Sequence, residues 1–253
     1  MKGLVIKDLM CIRKQLILFG YTVASVAVLS VMIVLSCRFG NLRWEKSGME
    51  MMAVEPYFSE QDLNRMACLT LKFFLFLPIV CVGDFANVFE ADGKAGFAKV
   101  STILPISVGR RVLAKYVTIL MLFTTGVAVD LAITTVLAFL TDFISFWDFT
   151  LTILLFASVM GIYGAIEIIF CFLFGYGKED YARIAALLSL LVAAVILNLE
   201  RIKGFLTSFD GSMAELLKIM DKKNYSIFLI AVFVMGASYF ASVTIAKRKR
   251  GVV

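Results

Sequence analysis

The sequence predicts an all-α membrane protein. It should have six transmembrane helices, an interfacial helix at its N-terminus and a short cytosolic helix between spans 2 and 3. Three observations predict this. First, 61% of the 253 residues are hydrophobic and only 17% are charged, well above the apolar share of soluble domains. Second, the charges cluster between apolar runs of about 20 residues, the length that crosses a bilayer. Third, the loops alternate in charge, with fifteen basic residues on one side and nine on the other. The richer side is cytoplasmic by the positive-inside rule, which puts both termini there and makes the chain a multi-pass protein of the plasma membrane. The spans should be helices, because lipid offers no partner to open backbone groups.

The elements follow in order. Residues 1–14 are too short and too charged to span. Leu4, Val5, Leu9 and Ile12 form one helical face, while Lys2, Asp8 and Lys14 point elsewhere. This fits a helix in the inner interface, with a plain cytosolic tail as the alternative. The spans are expected at about residues 16–37, 66–88, 112–140, 149–175, 184–199 and 226–246, all in a single transmembrane domain over residues 1–253. The first is read as retained, since it runs past signal length without a clear cleavage site. Ser59 to Asp62 resembles a capping box opening span 2. In the second long outer loop, Ser212 and Glu215 look like the cap of a small helix. Met213, Leu216, Leu217 and Met220 would be its apolar stripe.

Residues 90–105 form the inner loop of most interest. Asp92 or Gly93 is read as the start of a short helix, with Phe97, Val100, Ile103 and Leu104 as an apolar edge and Lys94 and Lys99 beside it. Pro105 stops that helix. Ser107 opens the next one, and Arg110, Arg111 and Lys115 mark the membrane boundary. The apolar edge calls for burial, either on lipid or in a groove of another protein.

Lys72, Asp84, Asp130 and Glu167 lie within predicted spans. Such residues are costly in lipid and usually face a bundle interior or a wet cavity. Lys72 is expected either to pair with Asp130 or to snorkel to the outer interface. Glu167 is read as an internal hydrogen-bonding group, and Asp84 as solvated near the inner boundary. Gly161, Gly164, Gly236 and Ala237 permit close helix packing.

Several function classes fall away. The chain has no histidine, which removes Ser–His and Cys–His nucleophile pairs and His-ligated zinc and haem. There is no phosphate-binding GxxxxGK[ST] loop; the glycines of DGKAG (92–96) and GYGKED (175–180) have the wrong spacing. Cys11, Cys37, Cys68, Cys81 and Cys171 form no CxxC pair and read as small buried hydrophobes. The net charge of +6 flanks the spans, so it implies membrane lipid rather than nucleic acid as a partner.

Three segments carry a family resemblance. EADGKAGFAKVSTILPISVGRRVLAKY (90–116) looks like the loop after span 2 in permease subunits of ABC-2 type transporters. MKGLVIKDLMCIRKQ (1–15) resembles the same family's opening, and FCFLFGYGKEDYARI (170–184) resembles the inner end of its span 4. With the six-span layout, the resemblance covers essentially the whole chain. The turn Pro105-Ile106-Ser107-Val108-Gly109 departs from the pattern, with Val-Gly where charged residues are commoner. The resemblance implies an ABC-2 (type V) exporter-like fold and pairing with a second permease copy or paralogue. It also implies a cytosolic ABC ATPase that carries ATP and Mg, with no catalytic site, cofactor or metal on this chain. The loop helix would be a coupling helix, placing Lys94, Phe97, Lys99, Val100, Ile103 and Leu104 at the ATPase.

The sequence therefore points to the permease subunit of an ATP-driven exporter. Its apolar, Phe- and Met-rich body suits hydrophobic or amphipathic cargo, such as a peptide, lipid or drug, and its layout is similar to modulin-type peptide exporters. The alternative is an ion-coupled secondary transporter using Asp130, Glu167 and Lys72. The chain lacks the inverted repeat and the Pro-broken spans usual for that class, Pro78 being the one proline within a predicted span. An intramembrane enzyme lacks the residues for a site.

Overall fold

The computed structural model describes residues 2–39, 60–96, 106–141, 144–197 and 226–250. The described residues form eight helices and no strand. These are α1 (Lys2–Cys11), α2 (Arg13–Phe39), α3 (Glu60–Gly83), α4 (Ala86–Lys94), α5 (Val108–Leu140), α6 (Phe146–Phe174), α7 (Glu179–Leu197) and α8 (Ser226–Arg250). Four of them, α2, α5, α6 and α8, are each long and apolar enough to cross a membrane, and α3 and α4, bent by 41° at their break, make a fifth if the pair is counted as one span. The described helices thus supply four spans, or five with the broken pair, against the six expected. The expected outer helix around Ser212–Met220, the Ser59 cap and residues 97–105 lie outside the described residues.

Around α1 and the end of span 2, the sequence expectation differs from the structure in three places. Span 2 does not run unbroken to Val88. It ends at Gly83, and a new helix starts at Ala86. The loop helix does not begin at Asp92 or Gly93. Asp92 lies near the end of α4, which stops at Lys94. There Ala95 and Gly96 donate to the carbonyls of Ala91 and Gly93, and Gly96 takes φ 68°, a left-handed turn that glycine accepts without a Cβ clash. Finally, α1 is helical as expected, but Asp8 does not point away from the fold: it is 2% exposed.

The chain divides into two compact units. One comprises the described parts of Arg13–Val82 and Met121–Ala157. Its core joins Val26 and Val34 of α2, Leu71 and Leu75 of α3, Leu137 of α5, and Ile144 and Phe149 at the start of α6. These positions recur at one or two helical turns, so each helix offers one face. Gly126 lets α5 approach α3 closely: a Cβ there would lie 2.5 Å from Val82 Cγ2, the close approach that small residues allow between membrane helices. The outer faces carry exposed Leu18, Val28, Met32, Phe73 and Phe139, suited to lipid.

The other unit comprises the described parts of Met1–Ile12, Gly83–Leu120 and Ser158–Val253. It is assembled around α4. Phe89 of α4 packs edge-to-face on Phe172, with ring centroids 5.0 Å apart. The α5 residue Tyr116 shares hydrogen bonds with Ser238 (2.9 Å) and Ser242 (3.1 Å) of α8. Gly175 and Gly177 adopt φ 85° and 83°, so the glycines of GYGKED serve the turn between α6 and α7.

Candidate functional site

The most concentrated chemistry in the described chain is a collar of charged and polar groups around α4. Its first part is an ion quartet. Lys7 contacts Asp8 at 2.6 Å and Asp92 at 2.5 Å, and Lys115 contacts Asp8 at 3.1 Å and Asp92 at 2.5 Å. Lys115 also donates to the Val88 carbonyl at 3.0 Å, and its ammonium lies 5.5 Å from the centroid of the Phe89 ring. Asp8, Asp92 and Lys115 are almost wholly buried. Two positive and two negative charges alternate, so each buried charge has opposite neighbours, which is the condition for tolerating its desolvation. Burial alone would lower the Lys7 pKa, but the hydrogen bonds to Asp8 and Asp92 outweigh it and raise it. The quartet ties α1 and α5 to α4. Lys115, read from the sequence as marking the membrane boundary, is buried in this quartet.

The second part is Arg183, in the first turns of α7. Its Nε donates to Asp84 at 3.1 Å, one terminal nitrogen to Asp180 at 2.6 Å, and the other to Asn87 at 2.6 Å and Glu90 at 3.1 Å. The planar guanidinium lets one residue hold three points along α4 and its approach. Asp84 is thus ion-paired rather than simply solvated. Glu90 accepts hydrogen bonds from both Lys94 and Arg183. Arg183→Lys keeps the charge but loses the fork. It should destabilise the chain by about 1.5–3 kcal/mol, the scale of one hydrogen bond to a charged group. Comparing apparent melting temperatures of the purified variants checks this, and an unchanged melt would remove Arg183 from the collar.

The third part sits at the break between α3 and α4. Glu167, fully buried in α6, accepts the Phe85 N–H at 2.8 Å and the Tyr163 hydroxyl at 3.3 Å. It satisfies a backbone donor freed where the helix is interrupted. The Phe85 ring fills the space that a side chain at Gly164 would take: a Cβ there would overlap Phe85 Cε2 and Cδ2. Gly161, grouped with Gly164 by sequence, meets nothing within 4 Å.

The other predicted residues fall as follows. Lys94 is exposed and pairs with Glu90 one turn back at 2.5 Å. Phe97, Lys99, Val100, Ile103 and Leu104 lie outside the described residues. Lys72 does not pair with Asp130. It pairs with Asp148 and lies 5.3 Å from the Phe149 ring centroid. The reason is that α6 starts three residues earlier than expected, at Phe146, which brings Asp148 into its first turn. Asp130 is fully buried, and neither of its carboxyl oxygens has a hydrogen-bond partner among the described residues.

Sequence reading missed the quartet and the Arg183 fork, although the signal was present. Lys7 and Asp8 lie in the first resembling segment. Glu90, Asp92 and Lys115 lie in the second, and Arg183 lies in the third. The three segments meet at α4.

These features define a polytopic helical membrane protein in which α4, after the break that follows α3, is held by charged groups from several helices. A family model described as ABC-2 family transporter protein matches residues 57–247, and the chain belongs to that family. No curated protein and no solved structure matches it. The chain is accordingly an ABC transporter permease and a multi-pass membrane protein.

Proposed function

We propose that this chain is the six-span permease subunit of an ATP-driven exporter in the plasma membrane, with both termini cytoplasmic. It pairs with a second permease copy or paralogue and binds a separate cytosolic ABC ATPase, which holds ATP and Mg and performs the hydrolysis. The collar is the observation that carries this reading. Side chains of α1, α5, α6 and α7 all bear on α4. The chain leaves α4 directly into residues 97–105, where Phe97, Lys99, Val100, Ile103 and Leu104, next to exposed Lys94, are proposed to dock the ATPase. A push on that segment is delivered to α4. Because α4 is held by ion pairs and hydrogen bonds rather than by apolar contact alone, it moves its partners with it. Two collar helices, α5 and α6, are also membrane spans, so ATPase closure is converted into a bias between permease states. The apolar, Phe- and Met-rich body supports hydrophobic or amphipathic cargo: a peptide, lipid or drug.

A gentle-detergent pull-down of the tagged chain from its own cells tests the partner, with wild type beside Phe97→Asp/Ile103→Asp. A stoichiometric ATPase band with wild type, reduced at least about tenfold in the variant, is expected; tenfold corresponds to 1.4 kcal/mol of binding. Equal recovery would move the contact elsewhere on the permease. No ATPase with folded wild type would overturn the proposal.

A further inference from the structure

Asp130 lies ten residues before the outer end of α5, about 15 Å into the span at 1.5 Å per residue. It is 0% exposed, and both carboxyl oxygens lack a hydrogen-bond partner among the described residues. Thr134 of α5 and Ser30 of α2 are equally buried, and their hydroxyls lack partners too. Thr134 is the informative one. The other threonines of α5, Thr118, Thr124, Thr125 and Thr135, each donate to a backbone carbonyl three or four residues earlier, the local way for a helix to satisfy a hydroxyl. Thr134 does not, and it sits one turn from Asp130, where side chains are about 5–6 Å apart at Cβ. Ser30 lies between Val26 and Val34, the residues through which α2 enters the core shared with Leu137.

Among the described residues, no cation offsets Asp130. In residues 15–36, 67–82 and 146–157, which build this core with α5, the charged side chains are Lys72 and Asp148, and these are paired with each other. An ionised carboxylate with no donor and no counter-charge is strongly disfavoured in an apolar bundle, and such groups neutralise instead.

We propose that Asp130, with Thr134 and Ser30 as its polar surround, is an intramembrane proton-binding site. The acid holds one proton at neutral pH and releases it only when the bundle admits water. Proton occupancy and bundle opening are then linked, and each shifts the other. This assignment is independent of the cargo and of the ATPase.

Infrared absorption of the full chain in lipid nanodiscs, with isotope-labelled aspartate, tests it. The label separates aspartate signals from those of Glu167. At neutral pH the wild type should show the shifted carbonyl band of one protonated aspartic acid, and Asp130→Asn should lose it. Thr134→Val or Ser30→Ala should move its frequency; no movement with either would remove the hydroxyls from the site. If Asp130→Asn does not fold, labelled wild type decides alone, because a spectrum with every aspartate ionised at neutral pH overturns the proposal. A carboxylate band that responds to exchange of sodium for potassium would also overturn it, in favour of a metal-cation site.

Discussion

Lys115→Met should be among the most damaging single substitutions in this chain. Methionine keeps much of the aliphatic stem but removes the charge, leaving Asp8 and Asp92 with Lys7 as the remaining cation of the quartet. It also strips the donor from the Val88 carbonyl. Breaking a buried ion pair from one side costs about 3–5 kcal/mol. In a chain of this size that is a fall in apparent melting temperature on the order of 10 °C. The cause is charge imbalance rather than lost packing, so a second substitution should relieve it. Asp8→Asn/Lys115→Met leaves Lys7 with a single full partner, Asp92. It should melt higher than Lys115→Met alone, although each change by itself is destabilising. Thermal melts of the four forms in lipid nanodiscs measure this. Additive losses, with no recovery in the double variant, would mean that the four charges do not act as a unit.

The helices were largely legible in the sequence, because an apolar run long enough to cross a bilayer leaves few alternatives to a helix. Ser107 correctly marked the entry to α5, which begins at Val108. Local signals misled where a distant residue decides the outcome. Phe85 to Phe89 continues an apolar stretch, so span 2 was read to Val88. The break at Gly83 depends on Glu167, eighty-two residues later, accepting the Phe85 N–H. Asp92-Gly93 resembles a helix start. In the fold, the Asp92 carboxylate is engaged by Lys7 and Lys115 and is not available to cap a backbone. Lys72 was paired with the wrong aspartate because helix boundaries read from sequence slip by a few residues, and that slip left Asp148 in the loop.

The same holds for the site. Asp130 and Glu167 were identifiable as intramembrane acids, but their different situations were not. Glu167 has a backbone donor and a tyrosine hydroxyl within reach, whereas Asp130 has no partner among the described residues. Helical periodicity cannot separate the two, since both lie on buried faces. Lys7, Asp8, Glu90, Asp92, Lys115 and Arg183 each lie within a family-like segment, whereas Asp84, Asn87 and Glu167 do not, and nothing local joins Lys7 to Asp92 or Asp84 to Arg183. Those pairings exist because the chain returns to α4 from several directions.

Gly164→Ala carries the other large expected effect, and it separates the two glycines that sequence grouped together. The added Cβ would overlap Phe85 ring atoms. Phe85 is 1% exposed, and its ring cannot withdraw without straining the bond from its own N–H to Glu167. Overpacking of a filled site costs about 1–3 kcal/mol; the upper end is expected here, because ring and backbone are fixed together. Gly161→Ala, three residues earlier on α6 and with nothing within 4 Å, should change the melting temperature little. The discriminating measurement is a double-mutant cycle with Phe85→Ala. Phe85→Ala alone should cost several kcal/mol as a large-to-small core change. Added to Gly164→Ala, it removes the clash, so the double variant should be more stable than the sum of the two losses predicts. Equal melts for Gly161→Ala and Gly164→Ala would show that Phe85 does not pack on Gly164. The α3–α4 break would then need another support than the Glu167–Phe85–Gly164 contact.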